Sequence, residues 1–399
     1  MLRDRRIFLV ATLIDALGSG LWVPFALLFL VHGQGMGLLD AGTSLSTGAL
    51  LALVSGPATG AAMDRFGPRA LLVAGNLVRL AAFCAYPLVH TSWQVIAVSV
   101  VAGFGDRLFW TCNAPMVARL TSGSETDRML ATQTVGRFAG AGIGAAATAA
   151  LPTITSPWAF HLLAYVNAAS FAVAAVLMGL LPRAEARTHA PSGSWRTVLT
   201  NRPFTGFCLT HTAFTLASAS KFAVLPIVVR DLLHGPQWIA GTAITLGTVV
   251  VVTAQRPIVT LLAGRSRTAA LIGAASLFAV SFALLIPLEM VSLHVATGLI
   301  LVTSLGFSVA EAMFGPTGTA TAAAAAPAGA EGRASSIFQL SWGLPVALAP
   351  GLLAVLLSVG NALTWSVLAL TCTAAIPALL VLRKKLPGAL REPSPAVAG

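Results

Sequence analysis

Twelve stretches of this sequence are each long and apolar enough to cross a lipid bilayer, and no other feature limits the fold so strongly. They run over about residues 7–31, 40–62, 70–89, 93–118, 129–151, 158–181, 204–229, 238–262, 269–287, 292–315, 335–357 and 362–382. A helix needs about 20 residues to span the hydrocarbon core. Only 9% of the 399 residues are charged and 56% are hydrophobic, whereas a soluble protein carries about 25% charged residues. A water-soluble globule has too much surface to hide so many apolar side chains. A soluble enzyme and a disordered chain are thereby excluded. The predicted fold is all-α and embedded in a membrane.

Basic residues set an orientation. With the N-terminus inside, eighteen of the 24 Lys and Arg fall in inside segments and only Arg230 falls outside. The other five (Arg79, Arg107, Arg137, Lys221, Arg256) lie within spans. Cytoplasmic loops of membrane proteins carry such an excess. A missed or invented span would invert every later loop, so the span count is even and both termini are predicted to be cytoplasmic. The net charge of +11 is thus spread over short loops, and no nucleic-acid partner is expected. Arg3, Arg5 and Arg6 before an apolar run have the form of a signal peptide. That run continues to Val31, so it is expected to be an uncleaved first helix. Cys84, Cys112, Cys208 and Cys372 all lie in apolar segments without metal-ligand spacing. Neither a metal site nor a disulfide framework is predicted.

The sequence also repeats weakly at an offset of about 200 residues. Pro57 falls on Pro257, Arg65 on Arg265, Leu71 on Leu271 and Pro87 on Pro287. With one residue of drift, Gly105 falls on Gly306 and Pro115 on Pro316. A duplicated six-helix unit explains this pattern. The predicted organisation is a six-helix bundle over 1–181, a cytoplasmic linker over 182–203, a second six-helix bundle over 204–385 and a flexible tail over 386–399. The two bundles are expected to be related by a pseudo-two-fold axis. Within the linker, 195–199 is predicted to form a short amphipathic helix on the membrane surface.

Between the second and third spans the chain runs Gly60-Ala-Ala-Met-Asp64-Arg65-Phe66-Gly67-Pro68-Arg69. Gly67 and Pro68 suit a tight turn. Arg65 and Arg69 suit the headgroup level. Asp64 needs a partner, such as a helix N-terminus or an Arg. The stretch resembles the signature loop of the major facilitator superfamily, Gly-x-x-x-Asp-Arg-x-Gly-Arg-Arg. It matches at Gly60, Asp64, Arg65, Gly67 and Arg69 and departs at Pro68. The resemblance implies a latch between the halves, in which Asp64 caps the eleventh helix near Ala334 and pairs with Arg119. The mirrored loop keeps Arg265 but has Gly264 in place of the acid. Gly136, Gly140 and Gly144 in the fifth span, at i, i+4 and i+8 and accompanied by Gly142, form a smooth face for close helix contact. They are similar to the Gly-rich fifth helix of drug–proton antiporters, without its Gly-Pro.

Charges in mid-membrane are the chemical candidates, because each costs about 2.5–3.5 kcal/mol on insertion scales. By the resemblance, helices one, four, seven and ten line a central cavity. Asp15, Asp106, Arg107, Lys221 and Glu311 fall on those helices. Asp106, near the middle of its helix, is assigned as the proton-coupling acid, with Arg107 or Arg79 as the charge that tunes it. Asp15 and Glu311, placed nearer the cytoplasmic third, are assigned as relay acids or as partners of Arg137 or Arg256. Trp22, Trp110, Asn113, His211, Phe214 and Lys221 are candidate cavity and substrate residues. Trp93, Trp158, Trp238 and Trp365 sit near span ends and suit interfacial anchors.

The expected function is export of a small organic molecule by proton antiport and alternating access, in a bacterial inner membrane. This expectation rests on the resemblance to twelve-span efflux members. Proton-coupled uptake and a non-transporting sensor or scaffold remain as alternatives. The expected partners are a small-molecule substrate, protons and the lipid bilayer, and the expected state is a monomer. No cofactor is expected, and no nucleophile–base set, metal cluster or phosphate loop argues for an enzyme or an ATP-driven pump.

Overall fold

The computed structural model describes residues 2–121, 129, 132–133, 135–136, 139–140, 142–144, 146, 157–182, 195–262, 264–328, 330–386 and 388. Among these, nine helices are long and apolar enough to cross a membrane, or ten if a bent pair in the first span counts as one. The first span is the helix Leu2–Trp22, a 3-10 turn Val23–Phe25, a short helical piece Ala26–Leu28 and a π-turn Phe29–Gly33. Its two arms meet at 47°. Pro24 at the start of the 3-10 turn accounts for the bend, since it removes a backbone donor.

The second predicted span is built from two pieces. Leu38–Leu53 is too short to cross alone, and the helix resumes at Gly56. The segment Gly56–Ala85 then turns at Gly67, where φ is +76°. An L side chain is strained there, so this glycine of the signature loop is fixed by backbone geometry. Pro68 opens the next helical piece, the third span, where its missing N–H costs nothing. The fourth span is Ser92–Leu120, and the sixth is Pro157–Gly179. Most of the fifth predicted span lies outside the described residues. The seventh to twelfth spans are Arg202–Ile227, Trp238–Leu262, Arg267–Leu285, Leu293–Ala325, Glu331–Val359 and Asn361–Lys385. The helix predicted on the membrane surface is Trp195–Leu199, with Val198 buried against the bundle.

Irregular turns recur at the offset seen in the sequence. π-Turns end the first span at Phe29–Gly33 and the seventh at Val228–Leu232, 199 residues apart. The 3-10 turns Tyr86–Leu88 and Ile286–Met290 end the third and ninth spans, 200 residues apart, each with Pro in its first turn. The loop after the second span turns at Gly67, and the loop after the eighth turns at Gly264, where φ is +85°.

Packing follows small residues. The first span lies on the sixth, the third on the fourth and sixth, and the ninth on the tenth and twelfth. The eleventh packs on both the second and the seventh. Glycines of the fifth span touch other helices directly. A β-carbon on Gly140 would lie 2.9 Å from Ala16 Cβ, and one on Gly144 would press on the backbone of Leu17, Gly20 and Leu21. Gly142 faces Thr248 of the eighth span, where Thr245 Oγ1 donates to the Gly142 carbonyl at 3.4 Å. Of the face expected from the spacing, Gly140 and Gly144 therefore serve close contact with the first span, while Gly142, off that face, serves contact with the eighth.

Candidate functional site

The site is built around Arg79 of the third span, a residue only 3% exposed. Its Nη1 donates to Asp15 Oδ1 and to Asp106 Oδ1, each at 3.2 Å. Its Nη2 donates to Asp15 Oδ2 at 3.3 Å and to Asn76 Oδ1 at 2.7 Å. The guanidinium also lies 4.3 Å from the Phe171 ring centroid and 5.1 Å from that of Phe109. One side chain thus joins the first, third, fourth and sixth spans. Arginine suits this task because its fork offers five donors in one plane. Gly75 and Gly105 make the placement sterically feasible. A β-carbon on Gly105 would sit 2.6 Å from Arg79 Cγ and 2.8 Å from the Gly75 carbonyl oxygen.

The two carboxylates sharing Arg79 differ in access. Asp15 is fully buried, whereas the Asp106 side chain is 49% exposed. The structure corrects two expectations. Of the two charges weighed for tuning Asp106, Arg79 makes the contact. Arg107, one residue further round the helix, sits beside Gly343 of the eleventh span, whose β-carbon would lie 3.4 Å from Nη1. Asp15 and Asp106 also lie at one level, not at different depths, since they meet the same nitrogen. The helical stretch of the first span starts at Leu2 and ends at Gly33, so Asp15 falls near its middle. The Arg256 side chain and Arg137 lie outside the described residues.

A second polar centre joins the seventh, eighth and tenth spans. Lys221 is 8% exposed. Its Nζ fits against Gly247 and lies near Ser304 and Ser308, where any β-carbon at position 247 would collide with it. Glu311 of the tenth span accepts a hydrogen bond from Ser218 Oγ of the seventh at 2.5 Å. A cavity of about 20 Å³ lies between Lys221, Leu225, Ser304, Phe307 and Trp365. This is room for one water, which needs about 10–15 Å³.

Other predicted residues fall into packing roles. Trp22 is buried at 5% exposure among Phe29, Phe83 and Tyr86, with ring centroids 4.9–5.1 Å away. It therefore packs the core and does not line an open cavity. Phe214 is also buried, stacked on Phe314 at 5.5 Å. His211 is enclosed by Phe207, Phe214, Phe314, Phe338 and Trp342, and its Nδ1 meets Ser341 Oγ of the eleventh span at 2.9 Å. Asn113 is buried and exchanges hydrogen bonds with Gln133, which donates on to Thr12. Trp110 alone of this group is open, at 49% exposure, one turn from Asp106.

In the signature loop, Arg69 donates to the Gly179 carbonyl at the end of the sixth span. It therefore ties the third span to the end of the sixth. Arg65 is exposed, with its guanidinium over the Phe66 ring. Arg119 is half-buried at the end of the fourth span. The Asp64 side chain and the surroundings of Gly60 lie outside the described residues.

Sequence reasoning missed one contact between the halves. His32 in the first π-turn meets Asp231 in the second, with Nε2 and Oδ1 2.7 Å apart. The repeated turns were the available signal. The pair is partly exposed, so it is worth about 0.2–1 kcal/mol. We predict that Asp231→Asn raises amide hydrogen exchange locally, over 23–35 and 228–235, with the rest of the protein unchanged. Unaltered exchange in both turns would show that the pair does not hold them together.

A bundle of membrane-crossing helices with ionisable side chains sequestered between them defines a polytopic membrane protein. Residues 8–350 match the sequence profile described as Major Facilitator Superfamily, and the chain belongs to that family. It is similar to the multidrug resistance protein MdtH of Klebsiella pneumoniae (strain 342), at 28% identity over 232 residues, covering 57% of this chain and 56% of that one. It is also similar to MdtH of Yersinia pestis (strain Pestoides F), at 30% over 223 residues, or 54% of each. The chain thus spans about half the length of the curated relatives it matches. Among solved structures, a POT family transporter in complex with 5-aminolevulinic acid superposes with a TM-score of 0.78, at 14% identity and 97% and 96% coverage. The nucleoside transporter NupG gives 0.66, at 12% identity and 96% and 99% coverage. At such identities these likenesses establish the fold.

Proposed function

We propose that the protein is a secondary transporter of a bacterial inner membrane that exports a small organic molecule in exchange for protons. The observation that carries this reading is the unequal pair of carboxylates on Arg79. The Asp106 side chain is half exposed and that of Asp15 fully buried, yet both bond the same guanidinium. A proton taken up by Asp106 weakens its hold on Arg79, and the guanidinium then rests on Asp15 and Asn76. Loss of the proton restores the three-way contact. Two states of one hub, selected by one proton, are what a coupling device needs. The multidrug resistance relatives support the export direction over the half of the chain that they match.

On this reading the chain divides into bundles over 1–181 and 204–385, joined by a linker over 182–203 and followed by a tail over 386–399. Both termini are cytoplasmic, and the bundles rock about a central cavity. Asp64 latches them on the inner side with Arg119. Lys221 and Glu311 form the polar centre of the second half, and Arg107, Trp110 and Asn113 belong to the substrate path.

The test is proton flux in liposomes carrying a pH dye. A panel of lipophilic cations and antibiotics is added to wild type and to Asp106→Asn. Compound-driven proton movement is expected in wild type, with a loss of at least about a hundredfold in the variant, the low end of the usual range for a positioned proton-transfer group. Full proton movement in Asp106→Asn would remove this residue from the mechanism. Proton entry in the same direction as the compound would replace antiport by symport.

A further inference from the structure

A groove of about 380 Å³ opens between the seventh and twelfth spans, lined by Gly206, Thr210, Pro377, Ala378, Val381 and Leu382. It is far larger than the roughly 30 Å³ share of one water. Its walls are apolar. The one hydroxyl, that of Thr210, donates back to the Gly206 carbonyl at 2.9 Å. The groove exists because small residues meet here. Gly206 offers no side chain, and a β-carbon on it would only just touch Leu382, at 3.4 Å.

The groove has a charged mouth at one end. Arg202 lies one helical turn beyond Gly206, and Arg383, Lys384 and Lys385 follow Leu382. All four are exposed, and none makes an ion pair among the described residues. The carboxyl end of the twelfth helix also holds its free carbonyls near this cluster, which favours cations there. An apolar slot at bilayer depth with a cationic rim matches a molecule that has an acyl chain at one end and an anion at the other. Basic pockets between transmembrane helices select anionic headgroups on the same grounds.

We propose that this groove is a binding site for an acidic phospholipid. One acyl chain lies against Gly206, Thr210 and Ala378, and the phosphate lies among Arg202, Arg383, Lys384 and Lys385. A zwitterionic lipid fills the slot but gains little at the rim. The site stands apart from the Arg79 cluster and does not depend on the transported compound.

The test is native mass spectrometry of the full chain, released from mixed micelles with equal amounts of palmitoyl-oleoyl phosphatidylglycerol and palmitoyl-oleoyl phosphatidylcholine. Wild type is expected to retain phosphatidylglycerol over phosphatidylcholine by at least about fivefold, the effect of one basic residue near a charged headgroup. The quadruple variant Arg202→Gln, Arg383→Gln, Lys384→Gln, Lys385→Gln is expected to lose that preference. Ala378→Leu and, separately, Thr210→Leu fill the slot and are expected to lower retention of both lipids. Equal retention of the two lipids by wild type would overturn the proposal without any variant. Undiminished phosphatidylglycerol on a folded Ala378→Leu or Thr210→Leu protein would show that the lipid sits elsewhere. Displacement of the lipid by soluble glycerol phosphate would mean that the rim binds phosphate alone, which also overturns the chain-in-groove arrangement.

Discussion

Arg79→Ala is expected to destabilise the protein by about 3–5 kcal/mol, the cost of breaking a buried ion pair from one side. The Arg79 and Asp15 side chains are 4% and 0% exposed. The variant deprives Asp15, Asp106 and Asn76 of the guanidinium at once and removes its contacts with Phe109 and Phe171. Lysine is expected to be a poor substitute, since one ammonium on a flexible stem cannot reproduce a planar fork with three targets. The measurement is the fraction of monodisperse protein surviving a heating series in detergent. A triple variant, Arg79→Met with Asp15→Asn and Asp106→Asn, is expected to recover much of the loss, because it leaves no ionised group without its partner. If Arg79→Ala melted together with wild type, the cluster would not be holding the four spans in place.

Gly144→Val is expected to cost about 1–3 kcal/mol, the usual penalty for overpacking. The reason is the identity of the atoms in the way. A β-carbon there would lie 2.7 Å from the Leu21 amide nitrogen and 2.8 Å from the Gly20 carbonyl carbon. Backbone in a helix cannot step aside as a flexible side chain can, so the fifth span has to withdraw from the first. Gly136 supplies the contrast. Nothing lies within 4 Å of its added β-carbon, and Gly136→Ala should stabilise by roughly 0.5–1 kcal/mol through helix propensity. The same heating series measures both. Equal behaviour of the two glycines would show that close packing against the first span is not what requires position 144 to be small.

Much of the architecture was legible because hydrocarbon imposes long apolar runs and Lys and Arg punctuate them. The turn at Gly67-Pro68 was legible because few residues suit its backbone. Pairing within the site was harder to foresee. Asp15 and Asp106 stand 64 and 27 positions from Arg79, and only packing of three helices brings them together. The resemblance put Asp15 and Asp106 on cavity-lining helices but fixed no depth, and the first helix starts at Leu2, earlier than its apolar run. Of the four tryptophans expected at span ends, Trp365 misled for a related reason. Trp365 lies near a span end, yet its Nε1 donates to Asn361 Oδ1 one turn earlier at 2.5 Å. With its polar atom satisfied within its own helix, it is buried at 2% exposure and does not seek the headgroups.

The paired π-turns make the C-terminal ends of the first and seventh spans unequal in their tolerance of change. A π-turn holds one residue more than the α-turn it replaces. Substitutions within it change a side chain. Deleting one residue from Phe29–Gly33 instead restores the regular helix and rotates everything beyond it by about 100°. His32 would then swing away from Asp231, and the loop to the second span would leave at a new angle. Drift at these ends should therefore proceed by replacement, with loss of even one residue in either turn far more disruptive than any single exchange.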